Sequence, residues 1–380
     1  MADYLRQMPH QGSADLARRP SAARRFHIDI PLLVLLLALT VYGLFVLYSG
    51  SGKDMGAVVR QGRYFLLGYF VMFAVAQVSL GRIMRWAPWL YLVGLAMLVA
   101  VMLFGVGAKG AQRWLSLGGF RFQPSEIMKL MLPLTVACYL ADRALPPRFL
   151  PILACLGLIG VPAVLILQQP DLGTALLIAA SGLFVLFMAG MGWQYILGAV
   201  VLAGASAWPA WMFVLKDYQK QRILTMLDPE SDKLGAGWNI IQSKTAIGSG
   251  GWEGKGWTNG TQSYLDFLPE SHTDFIIAVL SEEFGLRGVL VLMGLYVLIL
   301  LRGFLIGIRA ESSFGRMTAG SLTLTFFVYI FVNMGMVAGL LPVVGVPLPL
   351  VSAGGTSVVT LMAGFGILMA ISTEKSTGPR

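Results

Sequence analysis

A chain of 380 residues that is 56% hydrophobic and only 12% charged, with a mean hydropathy of +0.73, has too much apolar surface to bury in a soluble core. This excludes a soluble globular enzyme and requires a polytopic membrane protein. The net charge of +9 raises the question of nucleic acid, but the basic residues fall in short stretches between apolar runs and form no continuous patch.

The chain opens on a basic tail, residues 1–29, carrying Arg6, Arg18, Arg19, Arg24 and Arg25. The length of that tail and the full membrane length of the next apolar run predict an uncleaved anchor, not a signal peptide. Runs of the roughly 20 residues that cross a bilayer are expected near 30–49, 64–80, 87–106, 125–141, 150–168, 173–190, 193–215, 274–301, 317–340 and 355–372. The predicted fold is therefore all-α, with about ten transmembrane helices. By the positive-inside rule, Arg82 with Arg85, Arg143 with Arg148, and Arg302, Arg309 and Arg316 make alternate loops and both termini cytoplasmic. That places a long loop, 216–273, on the extracytoplasmic side. Lys53, Arg60, Arg63, Lys109, Arg113 and Arg121 fall on that side against the trend, where they suit an anion. No internal repeat of fixed period divides the chain. The organisation expected is one membrane domain, 30–373, which includes the 216–273 loop, followed by a short cytoplasmic tail, 374–380.

Within 216–273 the run from Gly248 to Trp257 is glycine-rich with interleaved tryptophans. It is not a P-loop, since Ser249 stands where the first glycine belongs and Gly256 where Ser or Thr is required. It is not a dinucleotide fingerprint either, because Glu253 occupies the third glycine position. A flexible, close-packing loop that can lie over a membrane mouth is the remaining reading. Asn259-Gly260-Thr261 reads as a turn, Cys138 and Cys155 as buried thiols inside helices, and His10 and His27 as inert members of the tail.

The chemistry gathers around Asp274, which immediately precedes the apolar run Phe275–Leu280 and so sits where water gives way to hydrocarbon. Two readings stay open: an acid capping a helix N-terminus, or a base accepting a proton from a substrate hydroxyl, tuned by Glu270, His272, Glu282 and Glu283 nearby. His272 either orients Asp274 or satisfies a loop hydrogen bond. Lys129 lies in an apolar segment three residues after Glu126, a spacing that puts both on one helix face as an intramembrane ion pair. That pair is either structural or a cation facing a polar cavity. Arg113 and Arg121 flank Trp114–Gly119 and suit diphosphate oxygens. Asp171, after Pro170, is either a turn residue or a second acid of the same cavity, able to bind a divalent cation. No His, Cys and carboxylate cluster has firm metal-ligand spacing, so the metal is left unassigned.

Four motifs in order carry a resemblance that spans nearly the whole chain after residue 30. They are Arg113-Trp114-Leu115 through Phe122-Gln123-Pro124-Ser125-Glu126, then Gln169-Pro170-Asp171-Leu172-Gly173-Thr174, Pro269 through Asp274 to Glu283-Phe284-Gly285, and Pro342 to Pro349. Together they resemble the SEDS family (shape, elongation, division and sporulation). Val343-Val344 is similar to its elongation branch, where the division branch usually has a Thr-Lys pair. The resemblance implies a peptidoglycan glycosyltransferase of the bacterial inner membrane that polymerises lipid II for cell elongation and rod shape, with a class B penicillin-binding protein as partner. It implies that Asp274 is the key catalytic acid and that Arg121, Gln123, Glu126, Lys129 and Asp171 have roles. One departure is Ala353, where a Tyr is common in relatives. Joined to the residue chemistry, this expects Asp274 to be the base, and Arg121 and Lys129, with or without a divalent cation such as Mg2+ or Mn2+, to offset the leaving diphosphate. A lipid-linked precursor flippase and a non-catalytic scaffold of the cell-wall synthase are the alternatives. The first predicts inverted repeats, which are not found, and the second predicts a dispensable Asp274.

Overall fold

The structure, a computed structural model, describes residues 26–108, 111–117, 120–232, 235–261 and 271–374. Twelve α-helices are found among them: α1 (Ile30–Gly50), α2 (Met55–Ala76), α3 (Leu80–Phe104), α4 (Pro124–Ala141), α5 (Phe149–Gln168), α6 (Leu172–Met188), α7 (Trp193–Pro209), α8 (Asp217–Leu227), α9 (Ala236–Gly250), α10 (Ile276–Arg309), α11 (Ser313–Val337) and α12 (Thr356–Ser372). Six of the segments, α1, α3, α5, the run through α7, α10 and α11, are long and apolar enough to cross a membrane by length and composition. The helices α6 and α12 are apolar but shorter. The two remaining members of the expected ten are α2 and α4, which carry Arg60 and Arg63, and Glu126 and Lys129, respectively. The all-helical membrane framework expected from composition is the one observed.

Local chemistry explains where these helices begin. Asp54 accepts hydrogen bonds from the N–H groups of Gly56 and Ala57, so α2 starts nine residues before its apolar run. Ser312 caps α11 in the same way through the N–H of Gly315. The bundle centres on α11, two-thirds of whose most apolar window is buried, whereas no residue in that of α7 is buried, which suits lipid contact. Close approach uses glycine: a Cβ on Gly366 of α12 would lie 2.5 Å from the carbonyl oxygen of Met72 in α2.

Two regions differ from the sequence expectation. The stretch between α3 and α4 forms a small antiparallel sheet, β1 (Val106–Ala108), β2 (Ala111–Leu117) and β3 (Phe120–Phe122), with Ser116 opposite Arg121. Segment 216–273 is not a loop throughout. Its described part holds α8 and α9, and Gly248–Gly250 are the last turn of α9, so the non-helical glycine-rich stretch begins only at Gly251.

The two ends of the described chain meet at one end of the bundle. His27 contacts the Thr373 hydroxyl through Nδ1 at 2.8 Å. Beside it Asp29 caps α1 through the N–H of Leu32, accepts two bonds from the Arg302 guanidinium at 3.0 and 2.6 Å, and accepts a third from the Ser372 hydroxyl. Burial alone would raise the Asp29 pKa. The hydrogen bonds from Arg302, Ser372 and Leu32, with the charge of Arg302, bring it below the ordinary 3.8. A carboxylate with a depressed pKa contributes stability that is present above its unfolded pKa and lost as pH falls through the folded one. Asp29→Asn is therefore expected to lower thermal stability at pH 7 by ~3 kcal/mol, and its deficit against the parent chain should shrink as pH is taken below about 4. Thermal melts of both proteins at pH 7 and pH 3 check this; a deficit independent of pH would contradict it.

Candidate active site

The end of α10 opposite to Arg302 carries Asp274, in a turn held by the Ser271 side chain and by the backbone carbonyls of the next three residues. The Ser271 hydroxyl donates to the carbonyl of Gly50, and the carbonyl of His272 accepts from the N–H of Ala353, both at 2.9 Å. The Thr273 carbonyl accepts from the Ser352 hydroxyl, and the Asp274 carbonyl from Asn333 Nδ2 at 2.9 Å. Asn333 also donates to the Val346 carbonyl at 2.7 Å, so one side chain of α11 ties this turn to the segment before α12. With its backbone held, the half-buried Asp274 side chain turns into a cavity of about 290 Å³.

The cavity gathers residues from β2, α4, α6, α11 and the 345–357 segment. On α4 the three-residue spacing brings Lys129 Nζ within 2.6 Å of Glu126 Oε1, and both are buried. Lys129 also stands 4.8 Å from the centre of the Tyr329 ring. An ammonium ion in this apolar surrounding is held by a counter-charge and an aromatic face. Opposite, Arg113 donates to the Pro170 carbonyl at 2.6 Å and lies 3.3 Å from Asp171. Asp171 meanwhile caps α6 through the N–H and hydroxyl of Thr174. Asp171 thus caps a helix and also lines the cavity.

Five of the sequence-derived candidates therefore line one cavity with Asp274: Arg113, Gln123, Glu126, Lys129 and Asp171. His272 is exposed and is not among the lining residues; its carbonyl is what serves the turn. Glu270 and the side chain of Arg121 lie outside the described residues. Glu282 and Glu283 do not line the cavity either, and bind Lys255 and Ser49 instead. Sequence reasoning passed over Tyr329 and Asn333, although two polar side chains inside the apolar run of α11 were a usable signal. It also passed over Gly345, whose φ of +75° favours glycine and whose backbone lies beside Asp274 Oδ2 in the cavity wall.

A second, apolar cavity of about 220 Å³ adjoins the first. It is lined by Tyr64, Leu67, Phe122, Ile127 and Val359 and shares Gln123, Glu126, Gly355 and Thr356 with it. The pair suits a ligand with a charged head and an apolar tail. A resident divalent cation is not matched by the described donors: no three His, Cys, Asp or Glu side chains converge among them, and Glu126 and Asp171 each already face a protein cation.

The family model for cell cycle proteins that takes in FtsW, RodA and SpoVE matches residues 30–377. The chain belongs to this family. Peptidoglycan glycosyltransferase MrdB of Escherichia coli strain K12 is 53% identical over 351 residues, which cover 92% of this chain and 95% of that protein. A probable peptidoglycan glycosyltransferase FtsW of Trichlorobacter lovleyi is 37% identical over 96% of this chain and 98% of its own length. Among solved structures, a chain from a peptidoglycan synthase complex that coordinates polymerization and crosslinking superposes with a TM-score of 0.80. It is 31% identical, covering 90% of this chain and 97% of that one. The rod shape determining protein RodA of Thermus thermophilus gives a TM-score of 0.70 at 27% identity, over 92% and 98% of the two chains.

Replacing one member of a buried ion pair leaves the other uncompensated, at a cost of roughly 3–5 kcal/mol. Glu126→Ala should accordingly lower the melting temperature markedly. The neutral pair Glu126→Gln with Lys129→Met should recover most of that loss. Thermal unfolding of the two variants in nanodiscs checks this, and an unchanged melting temperature for Glu126→Ala would refute the pairing as a stabilising contact.

Proposed function

We propose that this cavity is the polymerising site of a peptidoglycan glycosyltransferase and that Asp274 is its general base. The enzyme class is that named for the 53% identical family member from Escherichia coli, and the protein is a multi-pass protein of the bacterial inner membrane. Its substrate is lipid II, and its partner is a class B penicillin-binding protein, in keeping with the synthase complex whose chain it superposes on. The observation that carries the site assignment is that Asp274 opens into a polar, cation-bearing cavity bordered by an apolar groove. That arrangement matches a substrate made of sugar, diphosphate and polyprenyl tail.

In this reading Asp274 takes the proton from the acceptor sugar hydroxyl as its oxygen attacks the anomeric carbon of the lipid-linked donor. The bond from that carbon to the diphosphate breaks, and undecaprenyl diphosphate leaves with inversion. The base does not need to move, because the carbonyls on either side of its Cα are already bonded to Ser352 and Asn333. Lys129 and Arg113 supply cationic N–H donors that are fixed before the reaction, Lys129 by Glu126 and Arg113 by Asp171 and the Pro170 carbonyl. Arg121, on β3, would add to them. Both paired carboxylates keep these cations oriented; the two pairs are neutral overall, so what they offer the diphosphate is aimed N–H donors and not net positive charge.

The charge pattern of the loops supports an extracytoplasmic position for this site, with residues 1–29 and 374–380 as cytoplasmic tails around a single membrane domain. Two experiments follow. Asp274→Asn, assayed by gel-resolved polymerisation of fluorescent lipid II with the cognate partner, should lose about 10²-fold or more in rate while keeping its melting temperature and its partner. Strands made at the parental rate would remove Asp274 as the base. Single cysteines at the exposed Leu227 and Glu311, in a chain whose own two cysteines are replaced, should differ in intact spheroplasts. A membrane-impermeant maleimide is expected to label the first and spare the second, and the reverse pattern would invert the topology.

A further inference from the structure

The helix that follows Asp274 is not continuous. At Gly285 the backbone of α10 adopts φ +61° and ψ −159°, which separates a short front segment, Ile276 to Phe284, from the long remainder. Such a break inside a membrane protein leaves N–H and C=O groups that must find partners. Here residues 251–256 supply them. The N–H groups of Leu286 and Arg287 donate to the carbonyls of Gly251 and Trp252, and the carbonyls of Glu282 and Glu283 accept from the N–H groups of Lys255 and Gly256. The fit depends on glycine, since a Cβ on Gly254 would lie 2.2 Å from the Glu283 carbonyl oxygen.

Side chains lock the same contact. Glu282 is fully buried, and its Oε1 accepts from Lys255 Nζ at 2.6 Å and from both the N–H and the hydroxyl of Thr261 at 2.8 Å. Glu283, also buried, accepts from the Ser49 hydroxyl of α1. Trp257 stacks on Phe45 of α1 with ring centres 4.3 Å apart, which fixes the far side of the loop. Every residue from Phe275 to Glu283 is buried, so the front segment is a packed lever with Asp274 at one end and this clamp at the other.

We propose that Lys255 and Thr261, acting through Glu282, are positioning residues for Asp274. The proposal rests on the reading of Asp274 as the base. The clamp sets the axial position and rotation of the front segment, and through it the aim of the carboxylate. A load applied to the exposed outer side of the loop, at Trp252 and Glu253, would be transmitted along the same lever.

The test uses the purified full chain in complex with its class B penicillin-binding protein. Lys255→Ala is expected to lower kcat for lipid II polymerisation roughly 10- to 100-fold with KM changed less than about twofold, and Lys255→Arg to restore it. Hydrogen exchange should show the amides of 276–284 opening at least about tenfold faster in Lys255→Ala, with those of α12 unchanged. Should Lys255→Ala not fold, Thr261→Val is read in the same way. A kcat like that of the parent together with unchanged exchange overturns the clamp and leaves the glycosyltransferase intact. If the parent chain makes no strands, the reading of Asp274 falls, and the exchange measurement alone decides for or against the clamp.

Discussion

A lysine ammonium inside a membrane bundle is the constraint around which the candidate site is organised. Lys129 can stay charged only because Glu126 lies 2.6 Å away and the face of Tyr329 covers it, and those three residues come from two helices that must therefore stay packed. Holding α4 against α11 in this way makes the floor of the cavity. It also brings Asn333, one turn along α11 from Tyr329, to the carbonyl of Asp274. The cation of the site and the backbone of the acid are thus anchored to the same helix.

The second organising demand is that backbone polar groups freed by an irregular turn or a helix break find partners elsewhere in the chain. The turn at 271–274 meets it with partners from the 352–353 segment and α11, and the break at Gly285 meets it with residues 251–256. Both are places where a regular helix would have been simpler. In each case the irregular backbone is satisfied from elsewhere in the chain, and the irregularity puts a particular group where a helix could not. At 271–274 that group is the Asp274 carboxylate. At Gly285 it is a loop inserted between the front and rear parts of α10.

Much of this was legible beforehand, and the rest was hidden for identifiable reasons. The Glu126 and Lys129 pair followed from helical spacing alone, because an i,i+3 contact is local. The sheet between α3 and α4 was missed because its strands are short, three residues for β1 and β3 and seven for β2, with no long alternating run to announce it. Glu282 and Glu283 were grouped with Asp274 on proximity in sequence, yet a helix start and a change of face direct them to the loop and to α1. His272 lies outside the cavity for a related reason, since neighbours two apart on a turn need not share a direction.

Composition, run length and motif order by themselves determined that this is a polytopic membrane protein of about ten helices, and which residues resemble a glycosyltransferase site. Those properties are carried by single residues or by short spacings, and they do not depend on how the helices dock. The tertiary structure decided which candidates share a cavity, that Tyr329 and Asn333 belong to it, and that α10 is split at Gly285. Each of these depends on contacts between segments tens to hundreds of residues apart, such as Lys129 with Tyr329 or Asp274 with Asn333. Helix rotation and packing set such contacts, and a linear pattern does not record them.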